Sequence, residues 1–156
     1  MKRIPNEIAF GQLRSILGEQ GMRPAIRYLN GLATHRYTSV FIFDGPVGRH
    51  AYYYDRQNPD HDHAPDSLLH LSYCVYVKST SALFSVPDSL QDERVHRDHA
   101  KRDTIRSYCG MPLTDGLGNV IGSACHYDPE PMAIDPADVE LLEVFSKMIP
   151  KGMYRS

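Results

Sequence analysis

Residues 105–127 read IRSYCGMPLTDGLGNVIGSACHY, two apolar runs around a glycine-rich turn. Ile105 to Thr114 and Asn119 to Tyr127 flank Asp115-Gly116-Leu117-Gly118, where the glycines supply the backbone freedom that a chain reversal needs. The segment therefore predicts a β-hairpin. Pairing symmetric about Leu117 sets position 109 opposite 125, 111 opposite 123 and 113 opposite 121. In that register Cys109, Met111 and Leu113 share one face with Ile121, Ser123 and Cys125, while Tyr108, Pro112, Val120, Ala124 and His126 share the other. Neither face is plainly polar. A sheet covered by helices on one side and by a pocket or loops on the other accounts for both.

Working outward, Asp135, Pro136 and Asp138 carry the signals of a helix N-terminus: a capping carboxylate, a proline at the first position and negative charge in the first turn. Leu142, Phe145 and Ile149 form that helix's apolar stripe, and Pro150 and Gly152 end it. Near the N-terminus, Phe10, Leu13, Ile16 and Leu17 predict an amphipathic helix between Pro5 and Gln20, broken by Gly21. A second helix follows from Met22 to Gly31 or Ala33, with Pro24 tolerated in its first turn. The period changes at Tyr37, where Tyr37 to Phe43 predicts a strand, paired through the turn at Asp44 to Gly48 with His50 to Asp55. Leu68 to Val77 reads as helix or strand. Ala82 to Val86 predicts a short strand, and charged Gln91 to Asp103 a short exposed helix and loop.

The chain has 156 residues, 42% apolar and 23% charged, with a formal net charge of −2. That is one domain with a core large enough to fold without disulfide or metal staples. No apolar run approaches the ~20 residues of a membrane span. The charged Met1 to Asn6 lacks a signal core, so the expected compartment is the cytoplasm. Arginines 23, 27 and 36 form no stripe matched to a phosphate backbone, so no nucleic-acid partner is expected. Cys74, Cys109 and Cys125 lack metal or thioredoxin spacing and read as reduced thiols.

Ser107-Tyr-Cys-Gly-Met-Pro-Leu113, then Gly118-Asn-Val-Ile-Gly-Ser-Ala-Cys125, Asp128-Pro and Ile134-Asp-Pro-Ala-Asp-Val-Glu-Leu-Leu142 form an ordered series that resembles the C-terminal half of a GAF domain. Upstream, Ala82-Leu-Phe-Ser-Val-Pro-Asp88 resembles that family's strand and aspartate after the middle helix. The resemblance covers residues 22–150, with residues 1–21 as an extra N-terminal helix in a single domain of 1–156. It implies an α+β fold layered α/β/α: a central antiparallel sheet of five or six strands, terminal helices packed on one face, and a ligand pocket under middle helices and loops on the other. It also makes Leu68 to Val77 a helix.

By that resemblance, the expected function is a stand-alone sensory or regulatory domain that binds a small ligand and signals through a protein partner or as a homodimer, with no resident cofactor. Tyr73, Phe84, Asp88, Arg94, Tyr108 and His126 are the expected ligand-binding residues, giving aromatic faces and a few polar groups. Lys78, Phe84 and Asp88 echo part of the Asn-Lys-Phe-Asp-Glu pattern of cyclic-nucleotide-binding members, without its Asn or its Glu. Cys125-His126 stands at the wrong place for bilin attachment, and His70, His96, His99 and His126 are the histidines open to haem. One alternative is a cysteine-dependent enzyme such as a free methionine-(R)-sulfoxide reductase, with Cys74, Cys109 or Cys125 as nucleophile and Cys109 and Cys125 facing each other as a pair. Another is an empty dimerisation module. Asp60-His61-Asp62-His63 makes His61 and His63 the metal-ligand candidates.

Overall fold

The computed structural model describes residues 3–149. Helix α1 (Asn6–Gln20) starts after extended Pro5, whose carbonyl takes the amides of Ile8 and Ala9. Its end and the start of α2 (Met22–Leu32) meet at Gly21, which has φ +96°, donates its amide to the carbonyls of Ile16 and Leu17, and accepts the Ala25 amide on its own carbonyl. A side chain there would be strained, so this glycine fixes the angle between the two helices. Strands β1 (Tyr37–Asp44) and β2 (Val47–Asp55) form the first hairpin. A two-residue strand β3 (Ser67–Leu68) precedes a 3-10 turn at Leu69–Leu71 and the short helix α3 (Cys74–Thr80). Strand β4 (Phe84–Val86) leads through irregular chain to β5 (Ser107–Thr114), β6 (Val120–Asp128) and α4 (Pro136–Met148).

The six strands form one sheet in the order β3-β2-β1-β6-β5-β4, and every pair is antiparallel. Helices α1, α2 and α4 cover one face. There Leu13, Ile26, Leu29, Leu141, Leu142 and Phe145, each at most 1% exposed, close over Val40, Ile42, Leu113 and Ala124. Each such side chain contributes about 1.5–3 kcal/mol of transfer free energy. The Asp135 carboxylate caps α4 by accepting from the Ala137 amide at 2.9 Å, as the sequence predicts. The expected stop at Pro150 and Gly152 lies outside the described residues. The other face is roofed by α3, the 3-10 turn and the chain between β4 and β5, which enclose Phe41, Leu69, Tyr73, Val77, Phe84, Val95, Tyr108 and Cys125. No helix among the described residues is long and apolar enough to cross a membrane.

Three expectations are corrected. The segment from Leu68 to Val77 is not one helix, because α3 begins only at Cys74. Residues 91–103 contain no α-helix and are held instead by short turns, among them His99 to His96 and Arg102 to His99. Most consequential is the register of the second hairpin. Thr114 faces Val120, as pairing about Leu117 requires, but Leu113 faces Gly122. Ile121 is therefore an extra residue, a β-bulge. From there to the far end each pair shifts by one, giving Cys109 opposite His126 and Gly110 opposite Cys125. Because side chains alternate, the shift moves Cys125 and Ser123 away from the face of Cys109 and brings Ala124 and His126 onto it.

Candidate functional site

A cavity of about 350 Å³ lies between the sheet and its roof. Its floor is Phe41 of β1, His50 of β2, Tyr108 of β5 and Tyr127 of β6, and its walls include Pro65, Asp66, Ser72, Tyr73, Lys101 and Ile105. Aromatic faces thus line it, with one carboxylate and one ammonium among the walls, a composition suited to a small organic ligand. The His50 ring stacks on Phe41 with centroids 4.2 Å apart. A larger and more open cleft of about 910 Å³ runs between α2, β2 and the following loop, but none of its lining residues is buried and Arg23 pairs with Asp62 across it at 2.6 Å.

The floor carries an ordered polar chain. His50 Nε2 lies 2.7 Å from Ser39 Oγ, which lies 2.8 Å from the Tyr127 hydroxyl. The Pro65 carbonyl also lies against the His50 ring, so His50, Ser39 and Tyr127 form one continuous polar chain. Burial holds the His50 imidazole down to about 4, which keeps the ring neutral near pH 7. Burial pushes the Tyr127 phenol well above its ordinary value, so it remains a donor.

Beside this chain two thiols meet. Cys74, the first residue of α3, points down at β6, with its Sγ 3.1 Å from Ser123 Oγ and 3.7 Å from the Tyr108 hydroxyl. The Cys125 thiol faces it, with the Ser39 carbonyl 3.7 Å from its sulfur. Burial raises the Cys74 thiol, but hydrogen bonds from Cys125, Ser123, Ser72 and Tyr108 outweigh it and set the group below the ordinary thiol range. Cys125 moves the opposite way, raised by burial and by its neighbour Cys74. Gly110 makes the arrangement possible: a Cβ there would lie 2.2 Å from the Tyr108 hydroxyl, so the ring that reaches Cys74 lies in the space the glycine leaves.

A family model for the GAF domain matches residues 19–150. The chain belongs to the GAF domain family. No curated protein matches it. Among solved structures, the GAF fold is shared with the free methionine-R-sulfoxide reductase of Neisseria meningitidis in complex with its substrate (TM-score 0.71, 14% identity, 95% of this chain and 90% of that one covered). It is also shared with the GAF domain of a phosphoenolpyruvate-protein phosphotransferase from Coxiella burnetii (TM-score 0.68, 11% identity, 90% and 87% covered). A third is the nlh2 GAF domain of A. aeolicus in an inactive state (TM-score 0.65, 12% identity, 95% and 93% covered). Enzymes and regulatory modules both stand among these neighbours, and identities this low establish the fold alone.

Within this GAF fold, the expected ligand residues separate. Tyr73 and Tyr108 line the cavity. Phe84, on β4 of the sheet, is buried under the roof beside them, stacked on Tyr76 at 4.7 Å. Arg94 lies outside, its guanidinium 4.7 Å above the Phe84 ring and bonded to Asp92 and the Ser85 carbonyl. Asp88 pairs with Arg106 at 2.9 Å and accepts from the Leu90 amide, a turn-forming role. The bulge puts His126 on the helix face, where its Nδ1 is 2.7 Å from Thr38 Oγ1 and its ring stacks with His35. The same shift separates the expected pair of Cys109 and Cys125: Cys109 is packed in the helix-side core, and burial pushes its thiol up to about 12. His61 and His63 are exposed on the loop after β2, His63 near Asp62 at 3.4 Å, and no group of three metal-binding side chains assembles among the described residues.

The sequence reading did not single out His50, Ser39, Phe41 or Tyr127. A usable signal was present for His50. Pairing about the turn at Gly45 and Pro46 sets Asp44 opposite Val47 and hence Phe41 opposite His50, as observed. That register puts an imidazole on the same face as an aromatic ring.

Proposed function

We propose that this GAF domain is a cytoplasmic sensory and regulatory module that binds a small organic molecule in the roofed cavity, without a resident cofactor. The observation that carries this reading is the cavity itself: about 350 Å³, floored by aromatic rings, with the His50–Ser39–Tyr127 chain at its base. Buried polar atoms already ordered by one another can exchange one partner for a ligand at little reorganisation cost. Occupancy biases the roof only by the ligand's differential affinity for its two positions. The change passes through β1 and β6, whose opposite sides carry α1, α2 and α4, to a protein partner or a second copy. Ile8, 52% exposed on α1, is available to such a contact.

The test is thermal stability of the full chain in the presence of a panel of small polar and aromatic metabolites, beside a Ser67→Trp variant that fills the cavity from its wall. A binder raises the wild-type Tm in proportion to ligand concentration and leaves the variant unmoved. Equal shifts in both proteins, or none across the panel, contradict the reading.

A further inference from the structure

The two thiols beneath the cavity have no part in ligand binding as described above, and their surroundings are unusual for buried cysteine. A structural cysteine behaves as a small hydrophobe and packs against carbon, as Cys109 does against the α4 side of the sheet. Around Cys74 and Cys125 the protein instead places Ser123 Oγ, the Tyr108 hydroxyl, Ser72 and the Ser39 carbonyl. Several donors aimed at one sulfur stabilise its thiolate, the form that reacts. The two cysteines belong to different layers, the first residue of α3 in the roof and the middle of β6 in the floor, and α3 packs directly on β6. Both are fully buried, yet the cavity comes to the edge of the pair. Ser72 and Tyr73, which lead into Cys74, and Tyr108, whose hydroxyl touches its sulfur, all line it.

We propose that Cys74 and Cys125 form a hydroperoxide-reactive dithiol, reached through the cavity, that closes to a disulfide joining its roof to its floor. Cys74 thiolate attacks the terminal oxygen of a small hydroperoxide. The S–O bond forms as the O–O bond breaks, sulfur loses two electrons, and the remaining oxygen leaves as alcohol or water after taking up a proton. Cys125 sulfur then attacks the sulfenic sulfur. The S–S bond forms as the S–O bond breaks, and hydroxide leaves with the Cys125 proton as water. Two thiols and one hydroperoxide thus give one disulfide, one alcohol or water from the peroxide, and one water. Exchange with a dithiol reductant restores both thiols. The chemistry stands apart from the ligand proposal. Only its consequence, a roof tied to the sheet at α3, bears on how the cavity opens.

The experiment treats the native full chain with equimolar hydrogen peroxide, blocks the remaining thiols by alkylation and maps the digest by mass spectrometry. The expected product is a Cys74–Cys125 disulfide with Cys109 recovered as the alkylated thiol. A Cys125→Ser variant stops at a sulfenic acid on Cys74 that dimedone traps, and Cys109→Ser forms the same disulfide as wild type. The wild-type map needs no variant to fold. The proposal is overturned if Cys74 stays reduced under an exposure that fully oxidises free cysteine in the same tube, or if the bond formed involves Cys109. Binding of a metabolite in the thermal assay is unaffected by either result in the reduced protein, so the two proposals fail separately.

Discussion

Cys109 and Cys125 sit on paired strands one position out of register, and they meet opposite environments. Cys109 faces the helices, among Leu113, Leu141 and Phe145, with burial and the nearby Asp138 carboxylate pushing its thiol up to about 12. Cys125 faces the cavity side, against the Cys74 thiol, the Tyr108 hydroxyl and the Ser39 carbonyl. Both faces are buried, so burial alone does not distinguish them. What differs is the supply of polar partners, and a single inserted residue, Ile121, decides which cysteine receives it. The histidines repeat the contrast. On the helix face Asn30 Nδ2 donates to Thr38 Oγ1 at 2.8 Å, that hydroxyl lies 2.7 Å from His126 Nδ1, and His126 Nε2 has no partner. On the cavity face His50 Nε2 is bonded to Ser39 Oγ at 2.7 Å, with the Pro65 carbonyl also against the ring.

The two faces can be broken separately. Phe145→Ala empties the helix side and should cost about 3–5 kcal/mol in a denaturant titration, while leaving the Cys74–Cys125 oxidation of folded protein in place. Loss of that oxidation in folded protein would show that the faces are not independent. Gly122→Ala is expected to cost about 3 kcal/mol, because its Cβ would stand 2.3 Å from the Phe41 carbonyl, backbone that cannot step aside. A cost near zero would mean that β1 and β6 approach less closely than described.

Acid should act through the histidines. The His126 imidazole is held down to about 3 by burial first and by neighbouring His35, Arg56 and Arg3, while the unfolded chain takes up that proton near 6.5. Between those values the unfolded state binds more protons, so stability falls as pH drops from 6.5 toward 3, by at most about 1.4 kcal/mol per pH unit for one site. His50, held down to about 4, adds to the slope over the upper part of that window. Above 6.5 neither contributes. His126→Gln should flatten the profile of urea midpoint against pH, and an unchanged slope would assign the effect elsewhere. The smallest effect belongs to Gly110→Ala, about 1 kcal/mol, because the new Cβ meets only the Tyr108 ring, which can swing aside. Its informative readout is slower oxidation of Cys74, since the displaced hydroxyl no longer reaches the sulfur.

Elements with strong local signals were legible in the sequence. Asp135-Pro136 capped α4, Gly21 separated two helices, and both hairpin turns fell where glycine demanded them. The six-stranded sheet and its helical face followed from those elements and from the family resemblance. The site was less legible because its composition depends on parity. Ile121 looks like any other β-branched strand residue, and nothing in Val-Ile-Gly-Ser announces that it will be skipped, although Gly122, pressed on the Phe41 carbonyl, marks the place. With that residue counted as paired, Cys125 was assigned to the wrong face and His126 was given a ligand role beneath the wrong layer. Asp88 and Arg94 look like binding groups in sequence, but their partners, Arg106 and Asp92, lie in irregular chain whose path no periodicity predicts.

The central claim is that the cavity face, not the helix face, receives the small molecule. Chemical-shift mapping of isotope-labelled full chain, titrated with a metabolite that raises its Tm, tests this most directly. The account predicts the largest movement at His50, Ser72, Tyr73, Tyr108 and Tyr127, with smaller changes at Cys109, His126 and Leu142. Shifts centred on Arg23, Tyr28 and Tyr54 around the open cleft, or on the helix-face residues, would contradict it.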